Sequence, residues 1–210
     1  AVADVDESRG NALAKEYGCD YHPDYGKMLQ RKDMEAVIIC TPDHLHLDPC
    51  LAAAREGKQI LLEKPIATTL EDADGILEAV AKHKVRLMVG HSLRFSLPYT
   101  YLRDCVTRGD IGAPVHGWAR RNAKIIDGRR FQGNTSVVLF LAVHDIDFMR
   151  WCTGSEVVRV YAESNRRVLK DTGVDDSILS ILKFGNGFIA SLEHSWIHPE
   201  SFGGVVDAKV

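Results

Sequence analysis

The chain has 210 residues, of which 45% are hydrophobic and 26% are charged, so it can form one large hydrophobic core or two small ones. Its net charge of -3 and the lack of any apolar stretch that could span a bilayer give no reason to expect nucleic acid or a membrane as a partner. The five cysteines are scattered, with no two at C-x-x-C spacing, which favours a reduced cytoplasmic protein over a disulfide framework or a zinc site.

Short apolar segments alternate with helical patterns from the start of the chain to about residue 92. Strands are predicted at residues 1–5, 36–40, 59–62 and 85–89, and helices at residues 7–17, 23–31, 44–56 and 70–83. This alternation predicts a doubly wound parallel sheet, Rossmann-like in type, and we assign residues 1–94 to it as a first domain.

The pattern changes after residue 94. Helices are predicted at residues 96–108 and 137–151, and strands at residues 114–122, 157–163, 176–184 and 188–196. Helices followed by consecutive strands indicate a second, α+β domain with a mainly antiparallel sheet, which we assign to residues 95–210.

The tripeptide Glu63-Lys64-Pro65 follows the apolar strand at residues 59–62. Ligands bind at the carboxyl ends of the strands in open α/β sheets, and Pro65 forces the chain to turn there because it cannot continue a sheet ladder. The turn places the Lys64 ammonium at the mouth of a cleft, where burial can lower its pKa towards neutrality. A surface Glu-Lys ion pair is the alternative interpretation.

Two other segments of the first domain could contact a dinucleotide. Asp4 ends the first strand, where an acid can accept hydrogen bonds from the ribose hydroxyls and disfavour a 2′-phosphate, although a helix cap explains it as well. Thr41-Pro42 follows the strand at residues 36–40, and this turn can lay its backbone against a cofactor with His44 or His46 in reach. The same turn also suits a simple helix start. The two histidines lack an evident third metal ligand, so we predict no metal site.

One glycine-rich match, Gly185-x-Gly187-x-x-Ala190, has the form of a dinucleotide fingerprint. It lies between two alternating strands and opens no helix. Asn186-Gly187 is typical of a β-hairpin turn, and we therefore reject the nucleotide interpretation.

His144 lies in the apolar segment 137–151, shortly before the acid Asp147. A buried histidine with satisfied hydrogen bonds would explain it. Together with Lys64 it would also form an acid/base pair contributed by two domains across one cleft.

These motifs together resemble the glucose-fructose oxidoreductase, inositol dehydrogenase and MocA family. The matching segments, in the family's order, are residues 3–6, 41–46, 63–67, 90–95, 109–112 and 144–147. The resemblance implies an NAD-dependent oxidoreductase, with NADP also possible, that transfers hydride between the nicotinamide and a sugar, cyclitol or related hydroxy compound. It implies Lys64 as the catalytic lysine, in a turn where the residue at Pro65 is often cis, and His144 as the catalytic histidine. The implied cofactor contacts are Asp4, Thr41, Pro42, His46, Glu63, Lys64, Pro65 and Arg94.

The chain departs from the family pattern at one active-site position. Many members carry an aspartate four residues before the histidine, where this chain has Phe140. Three explanations are open: another acid substitutes for the aspartate, the substrate differs, or the chemistry is impaired. For the first explanation we name Asp147 as a third catalytic candidate. The last possibility leaves a non-catalytic, ligand-binding or regulatory relative with the same fold as the alternative function.

The resemblance also implies missing elements at both ends. A first strand, a glycine-rich turn and a first helix would precede residue 1, and that strand would lie between the strands at residues 1–5 and 36–40. A moved strand, a second chain or a longer protein would fill this gap, because unpaired buried backbone groups cost about 1–3 kcal/mol each. Further strands would follow Val210, and the sheet edge there indicates a homo-oligomer.

Overall fold

A computed structural model describes residues 1–201 and 205–209. The contacts between Cα atoms divide the chain into two compact units, Ala1–Gly90 and His91–Val210. The domain boundary predicted after residue 94 falls inside the short 3₁₀ helix Ser92–Phe95 and stays a prediction.

The first unit alternates strands and helices, as predicted. Its elements are β1 (Val2–Ala3), α1 (Glu7–Tyr17), β2 (Tyr21–His22), α2 (Tyr25–Leu29), β3 (Ala36–Ile39), a 3₁₀ turn (Asp43–Leu45), α3 (Leu47–Arg55), β4 (Gln59–Leu62), α4 (Leu70–His83) and β5 (Leu87–Val89). Local chemistry sets their ends. The Asp6 side chain caps α1, Gly18 ends that helix in the left-handed region, and Thr69 accepts the Asp72 N–H at 3.1 Å to cap α4.

Two parallel sheets form in this unit. Strand β4 lies between β3 and β5, and β1 pairs with β2. In the part of the chain that the structure describes, no strand joins β1 to β3, so the sheet is not closed by a moved strand. A core built mainly from β3, β4, α3 and α4 fixes the strand ends that carry the predicted site, because each of these elements contributes buried apolar side chains to it.

The second unit has the predicted α+β character. Its elements are α5 (Leu97–Arg108), β6 (His116–Lys124), α6 (Ile125–Arg130), a π-helical turn (Val138–Ala142), α7 (Val143–Thr153), β7 (Val157–Asn165), β8 (Ser177–Phe184), β9 (Ile189–His198) and β10 (Val205–Lys209). The strands form one sheet in the order β10-β6-β9-β8-β7, with β6 and β9 parallel and the other pairs antiparallel.

The β8–β9 connection confirms the hairpin interpretation of the glycine-rich match. The Gly187 N–H donates to the Phe184 carbonyl at 3.1 Å, and Gly187 has a φ of 96°, which favours glycine. The sequence patterns did not predict β2, α6 or β10. They also predicted one regular helix at residues 137–151, whereas the structure has a π-helical turn before α7.

Candidate functional site

The carboxyl ends of β3, β4 and β5 lie at one edge of the first unit's sheet, since the three strands are parallel. The turns that start at Thr41 and Glu63 leave the sheet at this edge. The Gly90 N–H donates to the Leu62 carbonyl at 2.7 Å, and a Cβ at Gly90 would lie only 3.3 Å from that oxygen. Glycine therefore lets the end of β5 approach the Glu63 turn closely.

Lys64 is half-buried in the turn that follows β4. Its backbone N–H donates to the Glu63 carboxylate at 3.3 Å, and the Lys64–Pro65 peptide bond is cis, as the resemblance implies. The exposed Glu63 and the half-buried Lys64 thus follow the same strand end. This is the position at which ligands meet an open α/β sheet.

His46 joins two of the predicted cofactor-side turns. It is 1% exposed, its Nδ1 lies 2.9 Å from the Pro65 carbonyl oxygen, and its Nε2 lies 3.0 Å from the Thr41 carbonyl oxygen. Both ring nitrogens therefore face backbone carbonyls, and the single N–H of a neutral imidazole can donate to one of the two. The ring contacts both turns, which supports a role in fixing the turns of Thr41 and Lys64 relative to each other. Sequence reasoning selected His46 but did not predict this bridge.

Replacing His46 with alanine is expected to destabilise the first unit by about 1–3 kcal/mol, because the buried Pro65 carbonyl loses the imidazole that contacts it. Urea unfolding measures this effect. His46→Gln, which keeps an N–H donor, should lose less, and His83→Ala in the last turn of α4 serves as the control. Equal losses for His46→Ala and His83→Ala would contradict the bridging role.

Asp4 presents an ionised carboxylate at the end of β1. Its Oδ2 accepts from Arg9 Nε at 2.7 Å, and its Oδ1 accepts from Arg9 Nη2 at 3.0 Å and from the Asp6 N–H at 2.9 Å. The hydrogen bonds from Arg9 and from the Asp6 backbone hold the pKa of Asp4 below its ordinary value. A carboxylate has about four acceptor positions, so one remains open to a further donor. The sequence patterns missed Arg9, although an arginine in the first turn after such an acid could have indicated it.

His144 and Asp147 both lie on α7 in the second unit. The Asp147 carboxylate accepts two hydrogen bonds from Arg94, at 2.7 Å to Nη2 and 2.9 Å to Nε, and its side chain is 7% exposed. His91 Nδ1 lies 3.6 Å from the same carboxylate. The structure therefore brings together Arg94 and Asp147, which the sequence singled out separately.

Aromatic packing surrounds the position where the family pattern has an aspartate. The Phe140 ring centroid lies 4.7 Å from that of Phe131 and 6.1 Å from that of Trp196. The Arg130 guanidinium lies 5.7 Å from the Phe140 ring. These contacts belong to a hydrophobic cluster of the second unit, so Phe140 has a packing role in this chain.

Neither a metal site nor a membrane span is found in the described residues. Residues 1–201 and 205–209 contain no group of three or more histidine, cysteine or acidic side chains placed to hold a metal ion. Within the same ranges, no helix combines the length and the apolar character that crossing a bilayer requires.

Both units match known family models. Residues 1–91 match an oxidoreductase family with an NAD-binding Rossmann fold, and residues 99–206 match the GFO/IDH/MocA C-terminal domain. Inositol 2-dehydrogenase 1 of Saccharopolyspora erythraea is 34% identical, over 79% of this chain and 50% of its own length. The oxidoreductase YrbE of Bacillus subtilis is 32% identical, over 93% of this chain and 59% of its own length.

The fold has a close match among solved structures. The crystal structure of scyllo-inositol dehydrogenase from Lactobacillus casei with bound NAD(H) and scyllo-inositol has a TM-score of 0.86 and 25% identity, covering 98% of this chain and 63% of that chain. The chain thus spans less than two thirds of the length of each of these three relatives. Since family models cover both of its units, the chain belongs to the GFO/IDH/MocA family of oxidoreductases.

Proposed function

We propose that this protein transfers hydride between NAD(H) and a CH–OH group of an inositol, a sugar or a related polyol. The observation that carries the proposal is the position of Lys64, in the turn after β4 at the carboxyl edge of an NAD-binding Rossmann sheet. Relatives described as inositol dehydrogenases support the polyol class of substrate. NAD is favoured over NADP because the ionised Asp4 would repel a 2′-phosphate.

The residues of the first unit fit this cofactor chemically. The carboxylate of Asp4 can accept from a ribose hydroxyl, and the turns at Thr41-Pro42 and Glu63-Lys64-Pro65 present backbone groups at the strand ends. His46 would hold these two turns together through its contacts with the Pro65 and Thr41 carbonyls. Arg94, near the start of the second unit, is also proposed to contact the cofactor.

In the proposed mechanism Lys64 and His144 divide the acid/base work. When bound, the oxidised nicotinamide supplies the hydride acceptor. The neutral Lys64 amine hydrogen-bonds the reacting hydroxyl and takes its proton, so that the oxygen can form a carbonyl as the C–H bond breaks. His144 orients that hydroxyl or relays the proton to water. Such groups each contribute about 10²–10⁴-fold to a rate.

Asp147 is proposed to act through Arg94. Both of its oxygens accept from the guanidinium, so the carboxylate is already engaged in a bidentate pair. Taking a proton would neutralise the carboxylate and forfeit its charge pairing with the guanidinium, which leaves Asp147 poorly suited to the role of general base. It is better suited to fixing the Arg94 side chain, which lies 5.8 Å from the Trp151 ring.

A non-catalytic relative with the same fold is the second candidate function. Phe140 supports it, since an aromatic cluster occupies the position of a family carboxylate. Such a protein would bind the dinucleotide and the polyol without turning them over. Measured binding with no measurable turnover would favour this candidate.

Assembly and location are also proposals. Apolar side chains of β7, β8 and β9 are exposed, among them Tyr161, Leu179, Ile181 and Ile189. A patch of this kind is typical of an interface, so we propose a homo-oligomer formed through this sheet, which the mass of the purified protein in solution tests. The free thiols of the five cysteines support a reducing, cytoplasmic location.

Titrating the purified chain into NADH, with NADPH as the comparison, tests the proposed function through the nicotinamide fluorescence. We expect saturable binding that is tighter for NADH, followed by NADH production when inositols or sugars are added with NAD. Asp4→Ala should weaken NADH binding and reduce the preference over NADPH, because the ribose acceptor and the repulsive charge are both lost. Absence of binding to either dinucleotide would overturn the proposal.

A further inference from the structure

A buried ionic network joins α7 to two strands of the second unit. Asp145, which follows His144 on α7, is 0% exposed. Its Oδ1 accepts from Arg121 Nη2 at 2.9 Å, and its Oδ2 accepts from Arg121 Nε at 3.1 Å and from His194 Nε2 at 3.0 Å. Arg121 on β6 and His194 on β9 are direct partners in the parallel register. One carboxylate therefore ties a helix to two adjacent strands.

The network is built for an ionised carboxylate. Burial alone would raise the pKa of Asp145, but the hydrogen bonds from His194 and Arg121 outweigh burial and hold the pKa below its ordinary value. A carboxylate only accepts, so the His194 proton must lie on Nε2. Among the described residues, the buried Nδ1 of His194 has no hydrogen-bond partner. The side-chain hydrogen bond that the structure shows for His194 is therefore the one to Asp145.

Such a network can set the rotation of α7 about its own axis. Successive residues of an α-helix point about 100° apart, so fixing Asp145 also fixes the direction of the preceding side chain. The apolar contacts of Phe148, Met149 and Cys152 hold α7 in the core but are non-directional. A bidentate Arg–carboxylate pair is directional. The π-helical turn Val138–Ala142 increases the need for such an anchor, because it interrupts the regular α-helical register just before α7.

We propose that Arg121, Asp145 and His194 are positioning residues for His144. The inference rests on the proposed role of His144 in proton transfer. The network sets the rotation of α7 about its own axis and thereby the position of the His144 imidazole. None of the three side chains needs to touch the substrate. Misplacement by about 1 Å can cost about 100-fold in rate, so the network affects turnover more than binding.

The test compares Arg121→Lys, which keeps the charge but loses the bidentate fork, with Arg159→Lys on the exposed face of β7. We expect Arg121→Lys to lower kcat by about 10- to 100-fold with the NADH affinity unchanged, and the control to leave kcat unaltered. In a His144→Ala background, Arg121→Lys should lower the residual rate no further, because both changes act through one group. His194→Gln, which retains an N–H donor, should lose less than His194→Ala.

A second readout does not depend on turnover. The ring resonances of His144, identified by their loss in His144→Ala, should shift in Arg121→Lys and stay in place in Arg159→Lys. Unchanged His144 resonances, or a further loss of rate in the His144→Ala background, would overturn the positioning role. An unaltered kcat in His144→Ala itself would instead overturn the proposed function of His144, which separates the two failures.

Discussion

Replacing Lys64 with alanine is expected to lower kcat for polyol oxidation by about 10²–10⁴-fold while leaving NADH affinity nearly unchanged. The amine is the proposed acceptor of the hydroxyl proton, whereas Asp4 and the backbone of the turns are proposed to hold the dinucleotide. Single-turnover kinetics measure the rate, and nicotinamide fluorescence measures the dissociation constant. The chemical step should become slow without loss of the complex.

Lys82→Ala is the matched control, since Lys82 is an exposed lysine in the last turn of α4. It should leave both the rate and the affinity unaltered. An unchanged rate in Lys64→Ala would refute the catalytic role of Lys64. A parallel loss of rate and of NADH affinity would show that Lys64 mainly holds the cofactor.

Most helices and strands of the first unit follow directly from local sequence patterns. Residues 7–17, 59–62 and 70–83 were predicted with the same bounds that the structure shows, because caps and apolar periodicity coincide there. The strand Tyr21–His22 was missed because two residues carry no detectable alternation. Its pairing with β1 depends on a tertiary contact that periodicity does not encode.

The second unit shows where local patterns fail. Residues 137–151 are apolar with helical spacing, and that spacing does not reveal a π-helical turn at Val138–Ala142. The short helix Ile125–Arg130 depends on Gly128, where a Cβ would lie 2.7 Å from Leu169 and 3.2 Å from Trp196. That close packing involves residues distant in sequence, so no local window could have indicated it.

In the candidate site, too, local patterns indicated single residues but not the contacts between distant segments. The sequence singled out Lys64, His144 and Asp147 as candidates because their motifs are unusual in apolar surroundings, and their catalytic roles stay predictions. Their partners were not identified. The pairing of Arg94 with Asp147 and of Arg121 with Asp145 joins segments far apart in the chain, and charge patterns within one element give no signal for it.

Asp176 anchors the loop between β7 and β8 and is 0% exposed. Its carboxylate accepts the backbone N–H groups of Val168 and Leu169, each at 2.7 Å, and that of Arg167. Burial alone would raise the pKa of Asp176, but the three N–H donors outweigh it and hold the pKa below its ordinary value. The folded second unit therefore contains this side chain as an anion.

Asp176→Asn is expected to destabilise the second unit by about 3 kcal/mol or more at pH 7. The amide is uncharged and has only one acceptor oxygen, so it cannot accept from all three backbone N–H groups. Asp171→Asn, at an exposed position of the same loop, is the control and should change little. Urea unfolding followed by tryptophan fluorescence is suited to this comparison, because Trp196 packs in the adjoining cluster.

The pH dependence of this difference distinguishes loss of the charge from a change of packing. A carboxyl group with a folded-state pKa below its unfolded value of about 3.9 contributes stability that is fully present above that pH. The contribution is lost as the pH falls through the lower folded-state pKa, so the gap between the wild type and Asp176→Asn should narrow steadily in acid. Asp145, whose pKa is lowered as well, adds to the acid sensitivity of both proteins equally. A gap that stays constant from neutral pH down to about pH 3 would mean that the anion of Asp176 is not what stabilises the loop.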